Sequence, residues 1–186
     1  MRSKFIKEEI RYTGEQLHSL FAYDNFGVTG DSIIAFIGAY DVSLKEIVDL
    51  EDLKASKRLV SPKMLHFIAE HFDVDLEKAI LRQYLLIMII KELLNEKMAN
   101  LKVTRQGTDL QDNDAKLAIS TATASPVSSL VYVGVNIVSQ ADSSVKTKGL
   151  ADYKIDPVVF ATEVMDRYTK EIERVSQARC RIRWVE

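Results

Sequence analysis

The stretch that most constrains this chain is Asp109 to Ile137, where two runs rich in β-branched residues flank a short polar connection holding Pro126. That pattern predicts two neighbouring strands and the turn between them. Side chains alternate across a strand. Strict alternation puts Leu117, Ile119, Thr121 and Thr123 on one side of the first strand, with Lys116, Ala118, Ser120 and Ala122 on the other. In the second strand Val131, Val133, Val135 and Ile137 form an apolar row, opposed by Leu130, Tyr132, Gly134 and Asn136. One face of the pair is therefore apolar. The other presents an ammonium, a hydroxyl, a phenol, a bare glycine and an amide, a lining suited to a small-molecule cleft more than to a core.

The rest of the chain supplies a sheet and helices around this pair. Residues 4 to 13 alternate loosely and end at Gly14, which predicts a hairpin or an edge strand. Asp31 to Gly38 predicts a buried strand closed by glycine, with Tyr40 to Val42 as its continuation. Asp49, Glu51 and Asp52 admit a metal or ammonium site, and equally a solvated helix end, which is preferred. Ser61-Pro62 has the form of a hydroxyl cap and first-turn proline, so a helix carrying His66 and His71 is expected. Asp73 or Asp75 should cap a long helix running to about Met98, on which Arg82 could reach a carboxylate or phosphate, a solvent-facing arginine being preferred. Residues 101 to 105 look like a strand, and residues 139 to 155 like a polar loop with Ser139, Ser143, Ser144, Lys146 and Lys148. Asp156-Pro157 opens a second long helix, whose stripe is Phe160, Val164, Tyr168, Ile172 and Val175. Ala178 to Val185 alternates as a last strand, with Cys180 on its apolar side and Arg179, Arg181 and Arg183 on the other. The fold class is α+β: a mostly antiparallel sheet backed by the helices at about 75 to 98 and 157 to 177.

An acidic turn, then Lys116-Leu117-Ala118 at a strand start, then Gly134-Val135-Asn136-Ile137 one hairpin later, resembles the central sheet of biotin and lipoate protein ligases and octanoyltransferases. The resemblance spans roughly residues 101 to 157. It implies that Lys116 stands against an acyl carboxyl or acyl-adenylate as the catalytic residue. Asp109, Ser120, Tyr132, Gly134 and Asn136 would complete the ligand site, with Asp109 or Asp112 orienting the ammonium or holding magnesium. ATP and Mg2+ are the cofactors implied for a ligase. The chain departs from that pattern in three places. The Gly27 to Gly30 pair has no arginine, residues 139 to 155 hold no cysteine, and Tyr132 stands where those enzymes place a histidine. Over its whole length the chain is similar to a family known as domain of unknown function family 366. That likeness is carried by Phe26-Gly27, Gly30-Asp31-Ser32, Val48 to Asp52, Met64 to Ile68, Ala122 to Ser128 and Thr147 to Leu150.

Composition bounds the function. At 186 residues, 1 to 186 is expected to form a single domain with its own core. A formal charge of −2 gives no general attraction to nucleic acid or anionic lipid. The longest apolar run, Tyr84 to Ile90, falls short of the ~20 residues that a membrane span requires. The charged start, Met1-Arg2-Ser3-Lys4, argues against a signal peptide, and one cysteine suits a reducing compartment, so a cytoplasmic protein is expected. Three functions remain in competition. The first is an acyl ligase or acyltransferase acting on a small acyl carboxylate. The second is a non-catalytic ligand-binding or dimerising module of the same fold, and a homo-oligomer is expected. The third is an RNA-associated protein using the Arg179, Arg181 and Arg183 row. An acyl-binding scaffold is preferred and nucleic acid is disfavoured.

Overall fold

The structure, a computed structural model, describes residues 1–54, 60–98, 103–139 and 145–185. Among the described residues seven strands form one sheet: β1 (Arg2–Phe5), β2 (Ser32–Asp41), β3 (Val60–His71), β4 (Thr104–Gln106), β5 (Asp109–Asp112), β6 (Ala115–Ala124) and β7 (Ser129–Asn136). Their order is β1-β2-β3-β7-β6-β5-β4, and every pairing except β1 with β2 is antiparallel. Four α-helices accompany them: α1 (Phe21–Phe26), α2 (Leu50–Lys54), α3 (Leu76–Lys97) and α4 (Pro157–Arg179). The α+β class and the two long helices are as expected. Ser143, Ser144 and residues 101 and 102, expected in a loop and a strand, lie outside the described residues.

The two faces of the sheet are covered differently. Helix α3 lies on β6 and β7, α4 lies on β1 and β2, and the helices touch each other. Between them and the sheet lies the main core, including Leu65, Phe67, Val131, Val133, Val135, Leu86, Ile90, Phe160 and Val164. The opposite face is covered by the segments from Ile6 to Val28 and from Val42 to Ile47, which bury Tyr12, Phe21 and Val42 on Ile34, Phe36, Ile68 and Tyr132. The helix ends carry the predicted caps. Asp75 accepts from the Lys78 amide at 3.0 Å, and Asp156 accepts from the amides of Val158 and Val159, both at 2.9 Å. Asp156→Ala is expected to cost about 1 kcal/mol of stability in urea unfolding, because two amide donors of the first turn lose their acceptor.

Three expectations are corrected. The Ser61-Pro62 segment opens no helix; it begins β3, at the centre of the sheet. Pairing with β2 moves from Ser61↔Tyr40 to Met64↔Gly38, so Pro62 sits in a bulge where a missing N–H costs no ladder bond. His66 and His71 are therefore strand residues an odd number apart and point to opposite faces. The expected carboxy-terminal strand is absent as well. Helix α4 runs on to Arg179, and residues 180 to 185 are exposed and unassigned to any strand. Cys180 is exposed rather than buried. Arg82 is turned inward, 13% exposed, and clasps Asp73 through both guanidinium nitrogens at 2.9 and 2.7 Å. That clasp holds the Asp73 carboxyl far below the usual carboxylate range.

Candidate functional site

Lys116 reaches the open face of the sheet through an irregularity in β6. Gln111 pairs with Lys116 and Leu110 with Ala118, so β6 carries one residue more than β5 at this point. Leu117 and Ala118 consequently both face the helices, and Lys116 faces away from them. The strand before the bulge is fixed from its other side. The Lys116 amide donates to the Lys146 carbonyl at 2.8 Å, and its carbonyl accepts from the Lys148 amide at 3.1 Å.

Around this lysine lies a hollow of about 190 Å³. Its walls come from β5 and β6 (Asp109, Lys116, Thr121), from β7 (Tyr132), from the end of β2 (Tyr40), from the amino-terminal cover (Tyr12) and from the segment Glu46 to Asp52. The Lys116 ammonium meets Asp109 at 2.7 Å, and the two side chains are 24% and 27% exposed. Burial pushes the Asp109 carboxyl upward, and the neighbouring ammonium opposes that shift without cancelling it. Tyr12 stacks on Tyr132 with ring centroids 4.1 Å apart, and on Tyr40 at 5.7 Å. Burial, with Asp52 nearby, pushes the Tyr40 phenol up to about 12, and burial raises Tyr12 and Tyr132 as well. All three phenols therefore stay protonated at neutral pH. A larger groove, about 740 Å³, runs between α3 and α4. Its charges are already matched by pairs such as Arg167 with Glu96 and Lys97 with Glu163, which leaves little to recognise a ligand.

The six residues singled out in the sequence fare differently. Lys116, Asp109 and Tyr132 come together in the hollow. Ser120 takes part only at its edge. Its hydroxyl faces the helices, donating to the Thr108 carbonyl and accepting from the Gln83 amide, both at 2.7 Å. The bulge separates it from the lysine it was grouped with. Gly134 admits the protein's own phenol rather than a flat ligand, for a Cβ there would stand 2.4 Å from the Tyr132 hydroxyl. Asn136 shares the Lys116 face but is buried, and its amide donates to the Lys116 carbonyl at 3.1 Å. It positions the lysine. Sequence reasoning missed Tyr12 and Tyr40 and set aside Asp49, Glu51 and Asp52; proximity to the hollow was not encoded locally in any of them.

Below the hollow, Tyr132 is held by His66. The His66 Nε2 lies 3.1 Å from the Gly38 carbonyl and therefore carries the proton, so Nδ1 accepts from the Tyr132 hydroxyl at 2.9 Å. Burial depresses His66 to about 4, so the imidazole is neutral at physiological pH.

A magnesium nucleotide does not fit these residues. Asp112 is on the helical face, buried, and already bound by Lys148 and Tyr153, each at 2.6 Å. Lys146 pairs with Asp114 at 2.5 Å. Among the described residues five carboxylates line the hollow against one ammonium, which opposes a triphosphate. Among the described residues no group of three His, Cys, Asp or Glu side chains is arranged to hold a metal ion.

The fold recurs in known proteins. The chain is similar to the protein of unknown function from Pyrococcus horikoshi, with a TM-score of 0.91 and 35% identity, covering 99% of this chain and all of that one. It superposes on the Aquifex aeolicus biotin protein ligase in complex with biotin and ATP at a TM-score of 0.61 and 12% identity, covering 92% of this chain and 71% of that one. The T. acidophilum putative lipoate protein ligase Ta0514 with bound lipoic acid gives 0.54 and 13%, covering 92% and 86%. At such identities the ligases establish a common fold. In sequence the chain is 35% identical over 179 residues to the uncharacterized protein MJ0805 of Methanocaldococcus jannaschii, covering 93% of this chain and 80% of the relative. The model of the domain of unknown function DUF366 matches residues 1–183, and the chain belongs to that family.

Proposed function

We propose that the protein binds a small acyl carboxylate in the hollow, as a ligand-handling member of the biotin/lipoate ligase-like fold that operates without a nucleotide step. The observation that carries this reading is the Lys116 ammonium in the hollow's wall. It gives one of its three N–H donors to Asp109 and has two left for a ligand carboxylate. A cation in a partly dry site attracts an anion more strongly than one in open water. Asp109 keeps the ammonium aimed, and Asn136 with the 146–148 segment keeps its backbone in place. Biotin and lipoic acid, named in the complexes of the ligases that share this fold, are themselves acids. Cys180, the one cysteine, lies beyond α4, which supports binding over thiol-based acyl transfer.

The test is calorimetric titration with hexanoate at low ionic strength. Hexanoate is expected to bind, and Lys116→Ala to weaken it at least tenfold, about 1.4 kcal/mol. Equal affinity in the variant, with its fold intact by circular dichroism, would overturn the reading.

A further inference from the structure

A simple monoanion leaves most of the hollow unexplained. Glu46, Asp49, Glu51 and Asp52 line the hollow together with Lys116, so with Asp109 a bound carboxylate would meet one ammonium and five carboxylates among the described residues. Glu51 and Asp52 have no ion-pair partner among the described residues. Asp52 lies near enough to raise both Tyr40 and Asp109, which puts its charge at the hollow itself. Independently of the acids, the Tyr12 side chain also asks for a ligand. Tyr12 is 3% exposed and lines the hollow, yet its hydroxyl has no hydrogen-bond partner among the described residues. The half-buried Tyr40 ring, which lines the hollow, adds an aromatic surface of the kind to which organic cations are drawn.

Resting on the carboxylate reading above, we propose that the ligand carries a second, cationic head, so that the class bound is a small aliphatic amino carboxylate. Its carboxylate takes the free donors of Lys116, and its ammonium sits between the tyrosines and the acidic segment around Asp52. The Tyr12 hydroxyl accepts one of the ammonium N–H groups. A zwitterion is neutral overall, so it enters an acidic hollow without the repulsion a monoanion meets. A metal ion is the other cation to weigh, and the acids do not converge as metal ligands among the described residues.

Three probes of matched length separate the possibilities: 6-aminohexanoate, hexanoate and hexylamine, each titrated calorimetrically into the full chain. The expected result is that 6-aminohexanoate binds at least tenfold more tightly than hexanoate. The double variant Glu51→Gln/Asp52→Asn, at two exposed positions, should erase most of that advantage and, by removing two charges that repel an anion, tighten hexanoate binding. Tyr12→Phe should weaken 6-aminohexanoate severalfold more than it weakens hexanoate. If hexanoate binds as well as 6-aminohexanoate and depends on Lys116, the amino carboxylate is overturned and the carboxylate reading stands. If hexylamine equals 6-aminohexanoate and Lys116→Ala changes nothing, both the carboxylate reading and the amino carboxylate fall. If none of the three binds, both fall together.

Discussion

Gly38→Ala is expected to destabilise the protein by about 3–5 kcal/mol, since of all the glycines it is the one where a Cβ would meet its neighbour most closely. A Cβ at position 38 would stand 1.9 Å from the Ile10 carbonyl oxygen and 2.5 Å from its carbon. Both are backbone atoms, and neither can swing aside. Ile10 is itself tied to the sheet, its amide donating to the Ile37 carbonyl at 3.0 Å, so the segment over Gly38 cannot lift without losing that bond. The damage would spread to the hollow, because the Gly38 carbonyl is the acceptor that fixes His66, and His66 fixes Tyr132. Gly27→Ala is the control. Gly27 has φ +66° but nothing within 4 Å of a new Cβ, so the change costs only the left-handed conformation, about 1–2 kcal/mol. Urea unfolding of the two variants separates steric exclusion from backbone preference; equal losses would mean the 6–12 segment does not lie on β2 as described.

What could be read from the sequence follows how locally each feature is specified. Helix α4 announces itself through Asp156-Pro157 and an unbroken stripe, since cap, proline and apolar face all lie within its own residues. The β6–β7 pair is equally local, and the face assigned to each β7 residue holds. Strand β3 failed for a physical reason. Buried on both sides at the centre of the sheet, it has no polar alternation to show, and Ser61-Pro62 imitates a helix start while serving a bulge. The alternation of Arg179 to Val185 likewise meant little, because a strand needs an edge to pair with and none receives it. In the hollow, Lys116 and Asp109 were legible through the strand pattern and the ligase resemblance. Ser120 was misplaced because a single inserted residue reverses every face assignment on one side of it. Tyr12 is not legible, for it joins Tyr132 only once the amino-terminal segment folds over the sheet, and Tyr40 is not, for it nears Tyr132 only because β2 and β7 flank β3.

Acid should unfold this protein earlier than its carboxylates alone would require, because His66 has no means of holding a charge. Its folded value of about 4 lies below the ordinary 6.5. The unfolded chain therefore takes up the proton first as pH falls. The stability tied to a neutral His66 is complete above about pH 6.5 and declines below it; near pH 4 it has fallen by about 3 kcal/mol, at 1.36 kcal/mol per unit. The groups facing the ring are Tyr12, Phe36, Tyr132 and the Gly38 carbonyl. None is a carboxylate. Protonated Nδ1 would also turn from acceptor to donor, so the Tyr132 hydroxyl would have to reverse its hydrogen bond inside the core. His71 is also depressed by burial, but it faces Asp31 at 3.4 Å, and that carboxylate offsets part of the penalty when the ring is charged. The separation of the two is measurable. His66→Gln keeps one donor and one acceptor without titrating, and should flatten the fall in urea-unfolding free energy between pH 6.5 and 4. His71→Gln should flatten it less. A pH profile unchanged by His66→Gln would mean that the imidazole beneath the hollow reaches solvent. The tyrosine stack it anchors would then be a mobile wall rather than a fixed one.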